Sequence, residues 1–470
     1  MKRNLIFRTF FAVVLVMSLL VGCFASYAPD EFASGEYYYG GYAKESAYNG
    51  NDENAEGTGD KFEEIKDNPF IKTADENVST FSLDADSAAY SYMRRMLTNG
   101  RLPDVNSVRI EEYINYFTFD YADPTGDATV SLNSEISSCP WNNDHYLVRL
   151  GIKGKSIAQQ NLPLNNYVFL IDVSGSMDGS DRLGLLKKSM IKMLDGMNPQ
   201  DRVSIVTYSG KEELLLESTL VESKDLIKSK INKLVASGAT SGASAIRMAY
   251  NQANQHYIEG GNNRIIMGTD GDFNVGLTGT PLLEMVESYA HQEKSIYLTV
   301  CGFGSGNWND AMMEKMSNKG NGTYVYVDSE EEMNKVFVEE TSRFVSVAND
   351  CKVQITFNKD LVAEYRLIGY ENRVLNKEDF ENDDVDAAEV GAGQTITALY
   401  EIIPTADCTY DFTSKAFAAP LFTFDFRYKE NLNEESKLLT SKPVVFSETC
   451  SENMRFAQTV AAYGMILRNS

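Results

Sequence analysis

Between residues 166 and 344 the chain alternates short apolar runs with segments of helical spacing, and this alternation limits the possible folds more than any other feature. Residues 167–171 form a continuous apolar run, as expected for a strand that is buried on both faces. Leu183, Leu186 and Met190 then follow at the spacing of one helix face. Such an alternation predicts an α/β domain with a Rossmann-like, mostly parallel sheet and helices on both faces.

Three predicted loops of this domain carry side chains with oxygen atoms. The first apolar run leads directly into Asp172, Ser174 and Ser176, which share one loop. Thr240 precedes a predicted helix, and Asp270 follows a predicted strand. Because an open α/β sheet binds its ligands outside the carboxyl ends of its strands, these loops are candidates for one ligand site.

An Asp-x-Ser-Gly-Ser segment is by itself also typical of an ordinary turn. Asp and Ser side chains accept hydrogen bonds from nearby backbone amides and cap the helix that follows. The segment at residues 172–176 therefore points to a ligand site only together with the preceding strand and the two other loops.

The regions on either side of the α/β domain are rich in predicted strands. Two helices are predicted near residues 89–96 and 110–117, before strands at 129–135 and 146–152. Further strands are predicted after the domain, at residues 353–357, 365–370, 395–403, 421–428 and 444–446. Neither the strands before the α/β domain nor those after it are well suited to form a β-sandwich alone. We therefore expect both sets to form one β-sandwich, with the α/β domain inserted between them.

The N-terminus has the pattern of a secretory signal. Lys2, Arg3 and Arg8 precede an apolar segment at residues 10–20, and Cys23 follows a glycine at its end. This ending resembles a bacterial lipobox, which implies that residues 1–22 are removed and that Cys23 is lipidated. The apolar run is short for an uncleaved membrane helix. We expect a protein outside the cytoplasm, in the cell envelope, with a lipid anchor in a bacterial membrane.

Composition shifts divide the remaining chain into four predicted segments. Residues 23–75 are expected to be a disordered tether, because their polar, glycine-rich sequence has no apolar periodicity. The other predicted segments are an N-terminal region at 76–160, the α/β domain at 165–346 and a β-rich domain at 350–470.

Charge and histidine content exclude several functional classes. The formal net charge of −24 argues against a nucleic-acid partner, which would require a basic face. The chain has three histidines, which argues against a histidine-based metal centre or a Ser-His-Asp triad. We therefore expect a binding protein with no catalytic residues.

The three loops together resemble the metal-ion-dependent adhesion site of von Willebrand factor type A (VWA) domains. The resemblance implies that Ser174, Ser176 and Thr240 provide hydroxyl ligands and that Asp172 and Asp270 bind directly or through water. An all-oxygen ligand set suits Mg²⁺, or Mn²⁺ or Ca²⁺ in its place. In such a site an open coordination position accepts an Asp or Glu side chain of a protein partner.

The flanking regions resemble those of the YfbK-like VWA lipoproteins of bacteria. The resemblance is carried by residues 80–90 and 108–117 before the α/β domain and by residues 365–373 and 391–401 after it. The C-terminal domain of that family normally runs past the position of Ser470, so the last domain is expected to be truncated.

The expected function is metal-dependent adhesion or scaffolding at the cell envelope through a protein ligand. One alternative stays open, in which the protein is a structural subunit of an envelope assembly and the metal only stabilises the fold.

Overall fold

The computed structural model describes residues 59–470, except 240–241, 272–277, 291, 293, 307, 412–415, 418, 442–445 and 447–449. The expected signal segment, Cys23 and most of the expected tether lie outside the described residues.

The helices of the described part are α1 (Ala88–Thr98), α2 (Ile110–Asn115), α3 (Leu183–Gly196), α4 (Lys224–Asn232), α5 (Ala243–Gln255), α6 (Thr280–Ala290), α7 (Asp310–Lys319), α8 (Glu330–Asn334) and α9 (Glu452–Arg468). Within the residues that the structure describes, no helix has both the length and the apolarity required to cross a membrane.

The strands are β1 (Ile71–Lys72), β2 (Val78–Ser82), β3 (Val130–Ser138), β4 (Tyr146–Gly154), β5 (Asn165–Asp172), β6 (Arg202–Tyr208), β7 (Glu212–Leu220), β8 (Asn262–Thr269), β9 (Tyr297–Gly302), β10 (Tyr324–Tyr326), β11 (Ser346–Phe357), β12 (Val362–Ile368), β13 (Val374–Leu375), β14 (Val390–Gly391), β15 (Thr395–Pro404), β16 (Tyr410–Asp411), β17 (Ala416–Phe417), β18 (Phe422–Lys429) and β19 (Lys437–Thr440).

The central domain contains a six-stranded sheet in the order β10-β9-β8-β5-β6-β7. Its strands pair in parallel, apart from the edge strand β7, which is antiparallel to β6. Successive residues of β5 point to opposite faces, so Phe169 joins one hydrophobic core and Val168 and Leu170 join the other. Burial on both faces explains the continuous apolar run, and the predicted Rossmann-like fold is confirmed.

The flanking strands form two facing sheets. One has the order β1-β12-β15-β4-β3, and the other has the order β13-β2-β11-β18-β19. Strand β4, from before the central domain, pairs with β15, from after it, between Tyr146↔Ile402 and Lys153↔Thr395. Side chains of both sheets, among them Val148 and Phe424, share one hydrophobic core. The prediction of a single β-sandwich with an inserted α/β domain is confirmed.

The predicted boundary of the tether at residue 75 was wrong. Ile71 of β1 pairs with Tyr365 of β12, and the Thr73 hydroxyl donates to the Val362 carbonyl at 2.6 Å. Nearer the N-terminus, Lys61 forms a parallel bridge with Asn309 of the central domain. These contacts are made largely by backbone atoms, and for this reason the apolar periodicity of the sequence did not show them.

A buried ionic cluster joins the sandwich region to the central domain. The Arg109 guanidinium, beside α2, makes two hydrogen bonds to Asp310 of α7, at 2.6 and 3.0 Å. Arg373 contacts Asp84 of the sandwich region at 3.0 Å and Glu314 of α7 at 3.5 Å. Paired in this way, the buried charges fix how the two parts of the chain pack.

Glu111 of α2 is a different case, because its carboxyl group is fully buried and the backbone hydrogen bonds from Tyr370 and Glu111 only partly oppose the effect of that burial. Burial raises the pKa of Glu111 to about 8, and the nearby carboxylates of Glu371 and Asp84 act in the same direction. The native protein therefore holds a proton at Glu111 that the unfolded chain releases at lower pH.

We predict that Glu111→Gln stabilises the protein at alkaline pH and leaves it nearly unchanged at pH 5. Wild-type stability falls as the pH rises from about 4.5 to about 8, because ionising the buried Glu111 carboxyl costs more desolvation free energy than its hydrogen bonds recover. A neutral glutamine removes this loss, which is on the order of 4–5 kcal/mol at pH 8.5. Urea unfolding at both pH values measures the difference. Equal pH dependence in the variant and the wild type would contradict the prediction, and exposed Glu64→Gln serves as the control.

Candidate functional site

The candidate site begins at the carboxyl end of β5, where the structure places Asp172. Its side chain is fully buried. One carboxylate oxygen accepts a hydrogen bond from the Ser174 amide at 2.9 Å, and the other accepts from the Thr269 hydroxyl at 3.1 Å. The orientation of the carboxylate is therefore fixed from two loops.

Two hydroxyl groups of the same loop converge beside this carboxylate. The Oγ atoms of Ser174 and Ser176 lie 3.0 Å apart. A short 3-10 turn, Gly175–Met177, brings them together, and the buried Met177 anchors that turn in the core. In octahedral Mg²⁺ coordination with oxygen atoms at about 2.0–2.1 Å, neighbouring ligands are roughly 3 Å apart. The two hydroxyls thus have the spacing of adjacent ligands of one ion.

The loop after β8 brings the second carboxylate to the site. Asp270 is 3% exposed, and its charge is close enough to raise the pKa of Asp172. Thr269 donates its hydroxyl proton to Asp172, and the same oxygen accepts from the Gly271 amide at 3.0 Å. The sequence places Thr269 directly before the candidate Asp270, but its role in orienting Asp172 was not predicted.

The electrostatics of the site favour a bound cation. Burial raises the pKa of Asp172 to about 7, and the Asp270 carboxylate adds to the effect, whereas hydrogen bonds from Ser174 and Thr269 oppose it. Burial and the Asp172 carboxylate also hold the pKa of the neighbouring Tyr208 well above its usual value. Two carboxylates so close together in a buried region repel one another, and a divalent cation would relieve that repulsion.

The third predicted loop is described up to residue 239, so Thr240 lies outside the described residues. The preceding part of this loop contacts the Asp172 loop through its backbone. The Gly238 carbonyl accepts from the Gly175 amide at 2.9 Å, and the Ser237 amide donates to the Val173 carbonyl at 2.7 Å. The chain thus enters the Thr240 segment next to the two serines.

Arg182 is a second residue that the sequence reasoning missed. Its guanidinium donates to the Ser176 carbonyl at 2.8 Å and to the Ser305 carbonyl at 2.6 Å. It therefore joins the serine loop to the loop after β9. A single arginine on a polar loop gives no sequence signal for this role.

The chemistry of the donor set fits a hard divalent cation. Its atoms are carboxylate and hydroxyl oxygens, which are the ligands that Mg²⁺ prefers. The described residues contain no group of three or more His, Cys, Asp or Glu side chains that could hold a metal, so a site here would depend on hydroxyl oxygens as well as on two carboxylates. The residues that could hold a metal are thus Asp172, Ser174, Ser176 and Asp270, with Thr240 added from the sequence.

The profile described as "von Willebrand factor type A domain" matches residues 166–339. The profile described as "Uncharacterized protein YfbK, C-terminal" matches residues 342–470, and one described as "von Willebrand factor" matches residues 56–149. A YfbK protein of Escherichia coli is 37% identical over 87% of this chain and 74% of its own length. The chain belongs to the YfbK family.

More distant similarities are confined to part of the YfbK-like chain. An uncharacterized protein of Synechocystis is 26% identical over 40% of this chain and 43% of its own length. Human inter-alpha-trypsin inhibitor heavy chain H3 is 30% identical over 37% of this chain and 21% of its own. Among solved structures, a von Willebrand factor type A protein from Catenulispora acidiphila has a TM-score of 0.43 at 16% identity, covering 69% of this chain and 76% of that one.

We predict that Gly271→Ala destabilises this YfbK-family protein more than Gly279→Ala does. Both glycines have positive φ angles, of 84° and 61°. A β-carbon at Gly271 would lie 2.8 Å from the Asn309 amide nitrogen, whereas one at Gly279 would meet nothing within 4 Å. Backbone strain alone costs about 1 kcal/mol, and the added contact brings the loss at Gly271 to about 3 kcal/mol. Chemical denaturation measures the free energy of unfolding of both variants, and an equal loss of stability in the two would contradict the prediction.

Proposed function

We propose that this protein is a lipid-anchored binding protein of the cell envelope, whose VWA domain uses a divalent cation to hold an acidic side chain of a protein partner. The observation that carries the proposal is the 3.0 Å spacing of the Ser174 and Ser176 hydroxyls beside the buried carboxylate of Asp172. Membership in a VWA-containing family supports an interaction role in general.

In the proposed site, Ser174, Ser176 and Thr240 bind Mg²⁺ through hydroxyl oxygens, and Mn²⁺ or Ca²⁺ could replace it. Asp172 and Asp270 bind directly or through water. When bound, the cation supplies a positive charge that attracts a carboxylate. Neutral hydroxyl ligands leave much of that charge uncompensated, so a coordination position open to the partner would favour Asp or Glu.

The overall negative charge of the chain explains why binding of an acidic partner would require a metal. The formal net charge of −24 repels acidic ligands at long range. A divalent cation reverses the sign of the potential at one point of the surface. The proposed binding is therefore specific to the metal site and requires the metal.

The membrane attachment and the location rest on the N-terminal sequence. The lipobox-like ending at Cys23 supports a lipid anchor, and the apolar segment at residues 10–20 supports export. We propose an extracytoplasmic position in a bacterial cell envelope, with no nucleic-acid partner and no catalytic residues.

Burial of the site favours a second candidate function, in which the metal only stabilises a subunit of an envelope assembly. Asp172 is 0%, Ser174 is 1% and Asp270 is 3% exposed. A cation held this deeply could neutralise buried carboxylates without contacting a partner.

We predict that Asp172→Asn abolishes Mg²⁺ binding and capture of the partner. The wild type should gain about 2.7 kcal/mol of stability at a Mg²⁺ concentration of 100 times its dissociation constant, and the variant should gain none. At pH 8 the metal-free variant should be the more stable of the two, because it lacks a buried carboxylate whose pKa is about 7. Thermal unfolding with Mg²⁺ or EDTA, and crosslinking capture on intact cells, measure these effects.

Asp178→Asn is the matched control, since Asp178 lies in the same loop with its side chain exposed. Mg²⁺ stabilisation with equal capture in Mg²⁺ and EDTA would support the structural candidate instead. Absence of Mg²⁺ binding by the wild-type protein would contradict both candidates.

A further inference from the structure

We infer that Asp60, which lies outside the VWA domain, is a positioning residue. It holds the loops that carry the candidate metal ligands of that domain in the arrangement that binds the metal. The inference rests on the proposed metal-binding function. It concerns residues 59–65, which we call the strap, and residues 303–309, which we call the β9–α7 loop; Asn307 of that loop lies outside the described residues.

The Asp60 carboxylate fixes the backbone of the β9–α7 loop. One of its oxygens accepts hydrogen bonds from the amides of Gly306 and Trp308, at 2.8 and 3.0 Å. The other accepts from the Tyr92 hydroxyl of α1 at 3.0 Å. Beside it, the Lys61 amide donates to the Trp308 carbonyl at 2.8 Å.

Aromatic packing keeps the strap in place. The Phe62 ring meets Tyr92 edge-on at 5.2 Å between centroids and meets Trp308 at 6.0 Å. Trp308 is itself stacked on Tyr326 of β10 at 4.3 Å. The strap is thus attached to both α1 and the sheet of the VWA domain, which holds Asp60 against the loop.

The β9–α7 loop in turn contacts both described metal loops. The Ser305 carbonyl accepts from Arg182, which also donates to the carbonyl of the candidate ligand Ser176. At the other end of the loop, the Asn309 amide nitrogen lies against Gly271, the residue after Asp270. A shift of this loop would therefore disturb both the Ser176 loop, through Arg182, and the Asp270 loop, through Asn309.

The composition of the loop explains why it needs an external support. Gly304 and Gly306 have positive φ angles, of 77° and 99°, which glycine adopts readily, so the sequence itself does little to fix the conformation. Arg95 of α1 adds a bond to the Ser305 hydroxyl at 3.2 Å. Without Asp60, the Gly306 and Trp308 amides would lose their acceptor, and Arg182 would lose a fixed partner.

The test is a calorimetric titration of the full chain with Mg²⁺ alone. We expect Asp60→Ala to weaken Mg²⁺ binding about tenfold, the lower end of the effect of removing a residue bonded directly to a metal ligand, because Asp60 acts through the β9–α7 loop. Asp60→Asn keeps an oxygen that accepts from both amides, so its affinity should stay within about threefold of wild type. Glu64→Ala, in the same strap with an exposed side chain, should bind as the wild type does.

Hydrogen exchange supplies a readout that does not depend on the metal. The Gly306 and Trp308 amides should exchange faster in Asp60→Ala than in Asp60→Asn. Should Asp60→Ala fail to fold, Asp60→Ser repeats both measurements, because its side chain is too short to reach the amides.

Each outcome decides a different point. Wild-type Mg²⁺ binding together with unchanged affinity in Asp60→Ala would overturn this inference and leave the proposed function standing. Equal weakening in Asp60→Asn and Asp60→Ala would also overturn it, because the accepting oxygen would then not matter. Failure of the wild type to bind Mg²⁺ would overturn both the inference and the function on which it rests.

Discussion

The pairing of β4 with β15 is the constraint on which the rest of the structure depends. These strands come from opposite sides of the VWA domain, yet they are hydrogen-bonded neighbours from Tyr146↔Ile402 to Lys153↔Thr395. Closing such a long loop has an entropic cost, and burial of the sandwich core, with side chains from both sheets, offsets it. Since the VWA domain leaves the sandwich after β4 and returns at β11, both of its ends are held by one hydrophobic core.

Contacts between distant parts of the chain also hold the candidate site. Within the VWA domain, Thr269 joins the Asp172 loop to the Asp270 loop through one hydroxyl. From outside it, Asp60 supports the loop that contacts Arg182. Residues that do not touch the metal would thus hold the ligands in position before the metal binds. The buried carboxylates of Asp172 and Asp270 repel one another when no metal is bound, and this repulsion would favour binding of a cation.

The fold could be predicted from the sequence because its strands leave local patterns, and four of the five candidate ligand residues lie in the described part of the chain, where their role as ligands stays a prediction. Burial on both faces produced the apolar run of β5, and period-two alternation marked several strands of the sandwich. Asp172 is the last residue of β5, Ser174 and Ser176 come within four residues after it, and Asp270 directly follows β8. Thr269, Arg182 and Asp60 act through hydrogen bonds to backbone or side chains far away in sequence, and no periodicity reports these bonds. The wrong boundary at residue 75 has the same physical cause, since β1 is held through backbone pairing and the strap through single contacts of Asp60, Lys61 and Phe62 that form no periodic pattern.

A crystal of the full chain grown with Mn²⁺, and its anomalous scattering, would test the central claim most directly. We expect a single strong peak at coordination distance from Ser174 Oγ and Ser176 Oγ, with the carboxylates of Asp172 and Asp270 beside it. Anomalous density at another place, or none at these serines under saturating Mn²⁺, would contradict the claim that this edge of the VWA domain is a metal site.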